Sequence, residues 1–488
     1  MQRVADKTDS YRSILRATSA FGGIEIVKLL VNLVRGKFLA LILGPEGMGL
    51  AAMFNSLADT FKQFSKAGTD AAIVKAVAGA DASRSDLADV VAAVRRMSAV
   101  LAAVGAVACA ALSGWLSYVS FGRYDMWPWF VLLGVAVAAG VVASADASLL
   151  QGLHDVRRLS RSSLVGAVSG LCVGVPLYWF MGTDGIVPAI IAASLASLLF
   201  FRLSLRSAMK GCRSRFDRAV HMPLVRRILA SGGVMMLSGA MTAAVAFALN
   251  ALVRYAGSMG DVGLYQSANS VANQYVGMAF TAMSLDFFPR LVRAVGDKLR
   301  MRELISRQTE IVSLVITPLS LLLMLTAPLV IELLFSDDFA PAVPLMRLMA
   351  FGMIMKGIGY PLGYVAFACD NKRVFVLMEC LGANLLDFAC MAGGYALAGL
   401  HGLGMGFCAS CALTLVMYYV VNRRLYGLRY SAGARRAVVA ALGFGLPSFA
   451  VCVAALYVPQ WQCVAVWVTA IVFVVSVGWS VLRVARRG

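Results

Sequence analysis

A chain of 488 residues that is 60% hydrophobic and 14% charged departs from soluble composition, which sits nearer half apolar and about a quarter charged. Its mean hydropathy is +0.79, and apolar runs of twenty or so residues recur from end to end, so the class is a polytopic helical membrane protein and a soluble enzyme is excluded. The net charge of +19 calls for no nucleic acid, because basic loops anchored against anionic lipid account for most of it.

In chain order, the polar opening MQRVADKTDSYRSILR does not read as a cleavable signal peptide. About fourteen spans follow, near 15–43, 48–74, 90–117, 128–151, 162–181, 184–205, 228–254, 262–287, 308–334, 341–368, 374–397, 402–422, 437–457 and 463–482. One set of connections is short: LGPEGMG, GRYDMWP, GTDG, AGSMGD, FSDDFAP, AGLHG and VPQWQ. The other set is basic: HDVRRLSR, RSAMKGCRSRFDR, PRLVRAVGDKLRMR, NRRLYGLRYSAGARR and the terminal RVARRG. Most of the 44 Lys and Arg fall in or beside the basic set, and of the outer loops only GRYDMWP holds one, Arg123. The positive-inside rule therefore places both termini in the cytoplasm.

GLAAMFNSLA at 49–58 aligns without gaps to GLYQSANSVA at 263–272. Each copy opens the second span of a six-span block, so the repeat is parallel, an architecture of transporters. The expected organisation is a six-helix lobe over 1–210, a basic cytoplasmic linker over 211–227, a second six-helix lobe over 228–426, and two additional helices over 427–488.

Four polar residues interrupt the first span: Glu25, Lys28, Asn32 and Arg35. Steps of three and four residues put them on one stripe of a helix, climbing ~15 Å. Asn55, Asp59, Lys62 and Lys66 repeat the pattern in the second span. Asn250 and Arg254 close the seventh, Gln266, Asn269 and Asn273 share a face of the eighth, and Arg347 and Lys356 add cations to the tenth. A charge at mid-bilayer costs ~3 kcal/mol, so such stripes face a wet cavity or one another. Local pairing offers an alternative for Glu25–Lys28 and Asp59–Lys62, and snorkelling one for Lys37 and Lys66. Neither gives a local acid to Arg35, Arg254, Lys356 or Lys66, and none is expected for them. The surplus is positive, which suits an anionic substrate; Arg matches diphosphate oxygens bidentately. Lys28, Arg35, Lys62, Lys66 and Arg254 are thus the expected diphosphate ligands, and Asn32, Asn55, Asn269 and Asn273 the expected sugar contacts. A carboxyl in such a cavity can carry H⁺, or hold Na⁺ with amide oxygens. Glu25, Asp59 and Glu310 are the leading coupling candidates, with Asp146, Glu379 and Asp387 behind them.

Cys408 and Cys411 form a CxxC inside a Gly-rich span and read as small packing residues. The three histidines are scattered, so no metal site is expected. GPEGMG reads as a tight outer turn, with neither the preceding strand nor the Lys-Ser/Thr of a phosphate loop. No catalytic constellation is present, and an enzyme is not expected.

GPEGMGLAAMFNSL (44–57), MSLDFFPRL (283–291), QTEI (308–311), residues 333–368 and NRRLYG (422–427) together resemble Wzx-type O-antigen and polysaccharide repeat-unit flippases of the multidrug/oligosaccharidyl-lipid/polysaccharide exporter superfamily. The likeness runs over nearly the whole chain in matching order. It implies an all-α, MATE-like fold of two six-helix lobes opening alternately to either side, with two extra C-terminal helices like those of lipid II flippases. It also implies a substrate, an undecaprenyl-diphosphate-linked oligosaccharide carried from the inner to the outer leaflet of a bacterial plasma membrane for O-antigen, capsule or exopolysaccharide synthesis. A cationic cavity and H⁺ or Na⁺ coupling without a cofactor would go with it. The implied partners are membrane lipids and the polysaccharide polymerase and chain-length machinery. The rivals are an ion-coupled multidrug/cation antiporter of the same superfamily, a lipid II flippase, and a membrane scaffold or glycosyltransferase, though the outer loops are too short for a transferase or ligase.

Overall fold

The computed structural model describes the backbone of residues 2–79, 84–209, 218–458 and 460–485; the side chains of 2–26, 84–85, 218–220, 234, 278–279, 281–282, 284–286 and 484–485 lie outside the description. The described residues are helical throughout, without strands. In order they form α1 (Gln2–Lys66), α2 (Thr69–Ala78), α3 (Arg84–Ala111), α4 (Ser113–Phe121), α5 (Trp127–Gly152), α6 (Val156–Met181) and α7 (Ile186–Ala208). There follow α8 (Arg218–Ala256), α9 (Met259–Arg293), α10 (Lys298–Leu334), α11 (Ala342–Ala368), α12 (Lys372–Phe375), a π-helical segment Val376–Ala383, α13 (Asn384–Tyr426), α14 (Ala432–Tyr457) and α15 (Trp461–Ala485). Nine stretches of the described residues are long and apolar enough to cross a membrane.

Several spans differ in detail from the sequence expectation. The second, expected over 48–74, is interrupted at Ala67–Gly68, where α1 hands over to α2. The third, expected over 90–117, breaks at Leu112 between α3 and α4. Within α1 the helix changes direction at Gly44 (φ 63°, ψ −167°), a conformation essentially reserved to glycine. Pro45 then starts the second segment, where its missing N–H costs nothing. The GPEGMG turn is therefore a corner between two helices.

The same solution recurs at corresponding places of the expected repeat. Gly182-Thr-Asp-Gly185 joins α6 to α7, and Gly399-Leu-His-Gly402 breaks α13 into two segments. Gly182 (φ 58°, ψ −133°) and Gly399 (φ 56°, ψ −139°) share one left-handed conformation. The closing glycines share a contact as well. A Cβ on Gly185 would stand 2.3 Å from the Leu177 carbonyl oxygen, and one on Gly402 1.9 Å from that of Gly394, each eight residues upstream. The segments 49–58 and 263–272 also agree in detail: Ser56 donates to the Met53 carbonyl and Ser270 to that of Ser267.

The chain forms two compact units, Met1–Phe247 and Ala248–Gly488. The division falls inside α8, beyond the basic 211–227 stretch, of which 218–227 are the first turns of that helix and 210–217 lie outside the description. A close approach holds the first half of α8 to the first unit. A Cβ on Gly232 would lie 2.3 Å from the Ala67 carbonyl oxygen, and one on Gly68 2.1 Å from that of Gly232. Around this contact, Ile73, Val94, Leu149, Leu205 and Ile228 pack one core. In the second unit, Phe287, Ile305, Val365, Met378 and Tyr418 build another. The two additional helices are integral to that unit: Ser480 donates to the Leu314 carbonyl at 3.1 Å, and Phe449 of α14 stacks on Phe351.

Gly402→Ala should lower stability by about 1–3 kcal/mol, the cost of overpacking, because its Cβ meets the opposing Gly394 backbone. Gly393→Ala, whose Cβ meets nothing within 4 Å, should not. Thermal unfolding of the two purified variants makes the comparison.

Candidate functional site

In the first unit the polar stripes of α1 address two different neighbours. The Arg35 guanidinium donates to the Tyr178 hydroxyl of α6 at 3.3 Å. Tyr178 is fully buried, while Arg35 is half-buried and Asn32, one turn earlier, is exposed. Lys62 pairs with Asp59 on its own helix, and its methylene stem packs over Gly140 of α5. Asn55 turns back to donate to the Ala51 carbonyl at 2.7 Å. Lys28 is half-buried, and Glu25 lies outside the described side chains. The structure thus joins Asp59 to Lys62 but carries Arg35 to α6.

Lys66 corrects the expectation that it has no local acid. Its Nζ lies 2.5 Å from the Asp70 carboxylate, one turn on at the start of α2. Asp70 also accepts from Ser144 at 2.9 Å and Ser148 at 3.4 Å on α5. Lys66 is thereby the apex of a network that ties three helices, and it is 12% exposed. Its (i, i+4) acid was readable in the sequence; the serines, from a helix about eighty residues away, were not.

The second unit gathers a different set. Asn273 of α9 donates its amide to the Asn269 side-chain oxygen at 2.6 Å, and Lys356 of α11 donates to the Asn273 oxygen at 3.4 Å. Lys356 also sits over the Phe407 ring, 6.0 Å from its centre. Two carboxylates, Glu379 and Asp387, feel its charge, which corrects the expectation that Lys356 lacks an acid. Tyr418 donates to Glu379 at 2.6 Å and Ser410 to Asp387 at 2.5 Å. Glu379 lies in the π-helical segment, whose widened turn occurs mostly at functional positions. Arg254 is half-buried at the end of α8.

From Lys356 an aromatic ladder runs along α9 and α11. Tyr360 stacks on Phe280 at 4.9 Å between ring centres and meets Tyr364 at 5.1 Å. Phe288 follows at 5.7 Å from Tyr364, then Phe367 at 5.3 Å and Phe375 at 5.4 Å. All six rings are half-buried. Tyr360, Tyr364 and Phe367 follow at steps of four and three on α11, a stripe legible in the sequence, but their partners Phe280, Phe288 and Phe375 come from other helices that no local pattern names.

Glu310 takes another part. Its carboxylate, 3% exposed, accepts from Arg483 Nε of α15 at 2.8 Å, and Arg483 lies against the Trp479 ring. That pair fastens α15 to α10.

The profile of the polysaccharide biosynthesis protein family matches residues 38–344. The chain belongs to this family. A lipid III flippase of Escherichia coli K12 is 25% identical over 419 residues, 83% of this chain and 96% of that protein. Among solved structures, the lipid II flippase MurJ in an inward closed conformation superposes with a TM-score of 0.71 at 11% identity, covering 94% of this chain and 97% of that one. An inward-facing MATE multidrug-resistance transporter of the MOP superfamily gives 0.68 at 14% identity, covering 82% and 94%. The fold is accordingly that of MOP-superfamily transporters, and the protein is a multi-pass membrane protein.

Removing one partner of a buried ion pair strands the other. Glu310→Gln should therefore destabilise by about 3–5 kcal/mol, and Glu310→Gln with Arg483→Met should recover much of that. Unfolding midpoints of the single and double variants give the comparison.

Proposed function

We propose that the protein flips an undecaprenyl-diphosphate-linked oligosaccharide from the cytoplasmic to the periplasmic leaflet of the inner membrane, by alternating access, for O-antigen, capsule or exopolysaccharide assembly. Fourteen crossings with both termini in the cytoplasm accompany this reading, as the distribution of basic loops implies. The observation that carries it is Arg35. It is half-buried on an apolar helix, and the group to which it donates is a neutral phenol. A positive charge kept in that setting, with no carboxylate at its donors among the described residues, is costly unless an anion visits it, and a diphosphate is a planar-fork acceptor for Arg. The 25% identity to a lipid III flippase over most of both chains points the same way.

Roles within the site follow from the surroundings. Arg35, with Lys62 and Lys28, draws the diphosphate; Lys66 holds α1, α2 and α5 together beneath them. In the second unit, Asn269 and Asn273 present amides to sugar hydroxyls, and the half-buried rings from Tyr360 to Phe375 offer flat apolar faces on which sugar rings stack. Glu379 and Asp387, on both of which Lys356 acts electrostatically, are better placed than Asp59 or Glu310, each paired with a cation of its own, to exchange H⁺ or Na⁺ as the substrate moves. Lys356 is the group whose charge either carboxylate can balance.

A drug/cation antiporter of the same superfamily would call for a net acidic cavity, and the basic stripes of α1 count against it.

In a strain deleted for the gene, Arg35→Ala at normal expression should cut surface glycan about tenfold or more, the worth of a lost charge-assisted hydrogen bond. The lipid-linked intermediate should then collect on the cytoplasmic leaflet. Arg35→Lys should restore part of the flux, and Tyr178→Phe, which leaves the charge in place, most of it. Unimpaired glycan assembly in Arg35→Ala would sink the diphosphate role. Tyr360→Leu with Phe288→Leu should lower flux of a long repeat unit more than that of a single sugar on the same carrier, measured by leaflet-specific labelling.

A further inference from the structure

A second cationic cluster lies in the first unit, away from the α1 stripes. Asp146 of α5 is 1% exposed and faces Arg202 Nε of α7 at 2.8 Å. Arg95 of α3 and Arg206, one turn beyond Arg202, act electrostatically on the same carboxylate. Arg95 and Arg202 also repel each other, and Arg206 adds to the repulsion at Arg95. One guanidinium therefore touches the carboxylate and two more act on it electrostatically. Arg95 Nε is fully buried and has no hydrogen-bond partner among the described residues.

Asp146 lies six residues before the end of α5, and Arg202 six before the end of α7, ~9 Å inside each helix terminus. Both termini lead into the basic connections HDVRRLSR and RSAMKGCRSRFDR. By the positive-inside rule those connections lie on the cytoplasmic side, where anionic lipid concentrates, and Asp146 and Arg202 are within two turns of them.

One carboxylate neutralises one guanidinium, which leaves two cationic charges of the three. Helix tethering needs only the Asp146–Arg202 pair, and each further Arg brought to it is repelled. An anion bound between Arg95 and Arg206 removes the repulsion and satisfies the buried Nε donor. A phosphate group fits, having oxygens enough for two planar forks.

We propose that Arg95, Arg202 and Arg206 form a binding site for a phosphate group where α3 passes the basic ends of α5 and α7, with Asp146 competing with the anion for Arg202. The site is separate from the stripes that engage the transported lipid, and its anion stabilises the packing of these three helices.

The test uses the full-length protein in nanodiscs of phosphatidylcholine alone, of phosphatidylcholine with phosphatidylglycerol, and of phosphatidylcholine with inorganic phosphate in the buffer. Thermal unfolding and native mass spectrometry give the readouts. Phosphatidylglycerol should raise the unfolding midpoint and remain attached to the wild type. Arg95→Gln with Arg206→Gln should weaken retention by about tenfold for each guanidinium removed and abolish most of the shift. If the double variant does not fold, the exposed Arg206→Gln alone carries the comparison. Asp146→Asn separates ligand binding from tethering: it should keep or enlarge the lipid-dependent shift, since it leaves more positive charge to neutralise. An equal shift with inorganic phosphate keeps the site and assigns it to the free anion. A midpoint unchanged by phosphatidylglycerol and by phosphate, or a shift undiminished in the arginine variants, overturns the proposal.

Discussion

Hydrocarbon offers no hydrogen bonds, so every charge and every break in a helix must be satisfied from within the chain. Most of this structure can be read as answers to that demand. Lys66 meets Asp70, which is held in turn by Ser144 and Ser148. Glu310 meets Arg483, and Asp146 meets Arg202. Where the chain must reverse without exposing backbone, Gly182 and Gly399 turn it in a conformation few other residues can adopt, and Gly185 and Gly402 let opposing backbone come close. Against that background, two cations whose donors meet neutral groups among the described residues stand out. Arg35 rests on a phenol and Lys356 on an amide and a ring face.

The two units apply one plan to different chemistry. The first places its unusual side chains on a broken helix and is dominated by cations. The second sets amides, two carboxylates and a file of aromatic rings around one lysine.

How much of this was legible in the sequence depends on how far apart the partners lie along the chain. Spans, their polar stripes and the parallel repeat are local or periodic properties, and the helices fall near those signals except where the second and third spans break at Ala67–Gly68 and Leu112. The corner at Gly44 is announced by Gly-Pro. Contacts between helices are not encoded by any short pattern. Nothing in α1 foretells that Arg35 will find Tyr178, and nothing in α10 that Glu310 will be consumed by Arg483 of the last helix. The acids ranked highest by sequence were those sharing a stripe with cations, while the pair beside Lys356 comes from a helix whose own stripe is mostly apolar. Only folding brings Glu379 and Asp387 to it.

The π-helical segment at Val376–Ala383 bears on the history of the repeat. A π turn takes in one residue more than an α turn, so everything after it on the same helix is rotated relative to an uninterrupted counterpart. The corresponding helix of the first unit, α6, runs as a regular α-helix from Val156 to Met181. After duplication, such a slip in one copy changes which side chains face inward without disturbing the glycine corner further along. Two halves descended from one ancestor could in this way keep a common frame while ceasing to be interchangeable. A hybrid built from two copies of the first half would then be expected to fold but to lack the carboxylate that the widened turn presents.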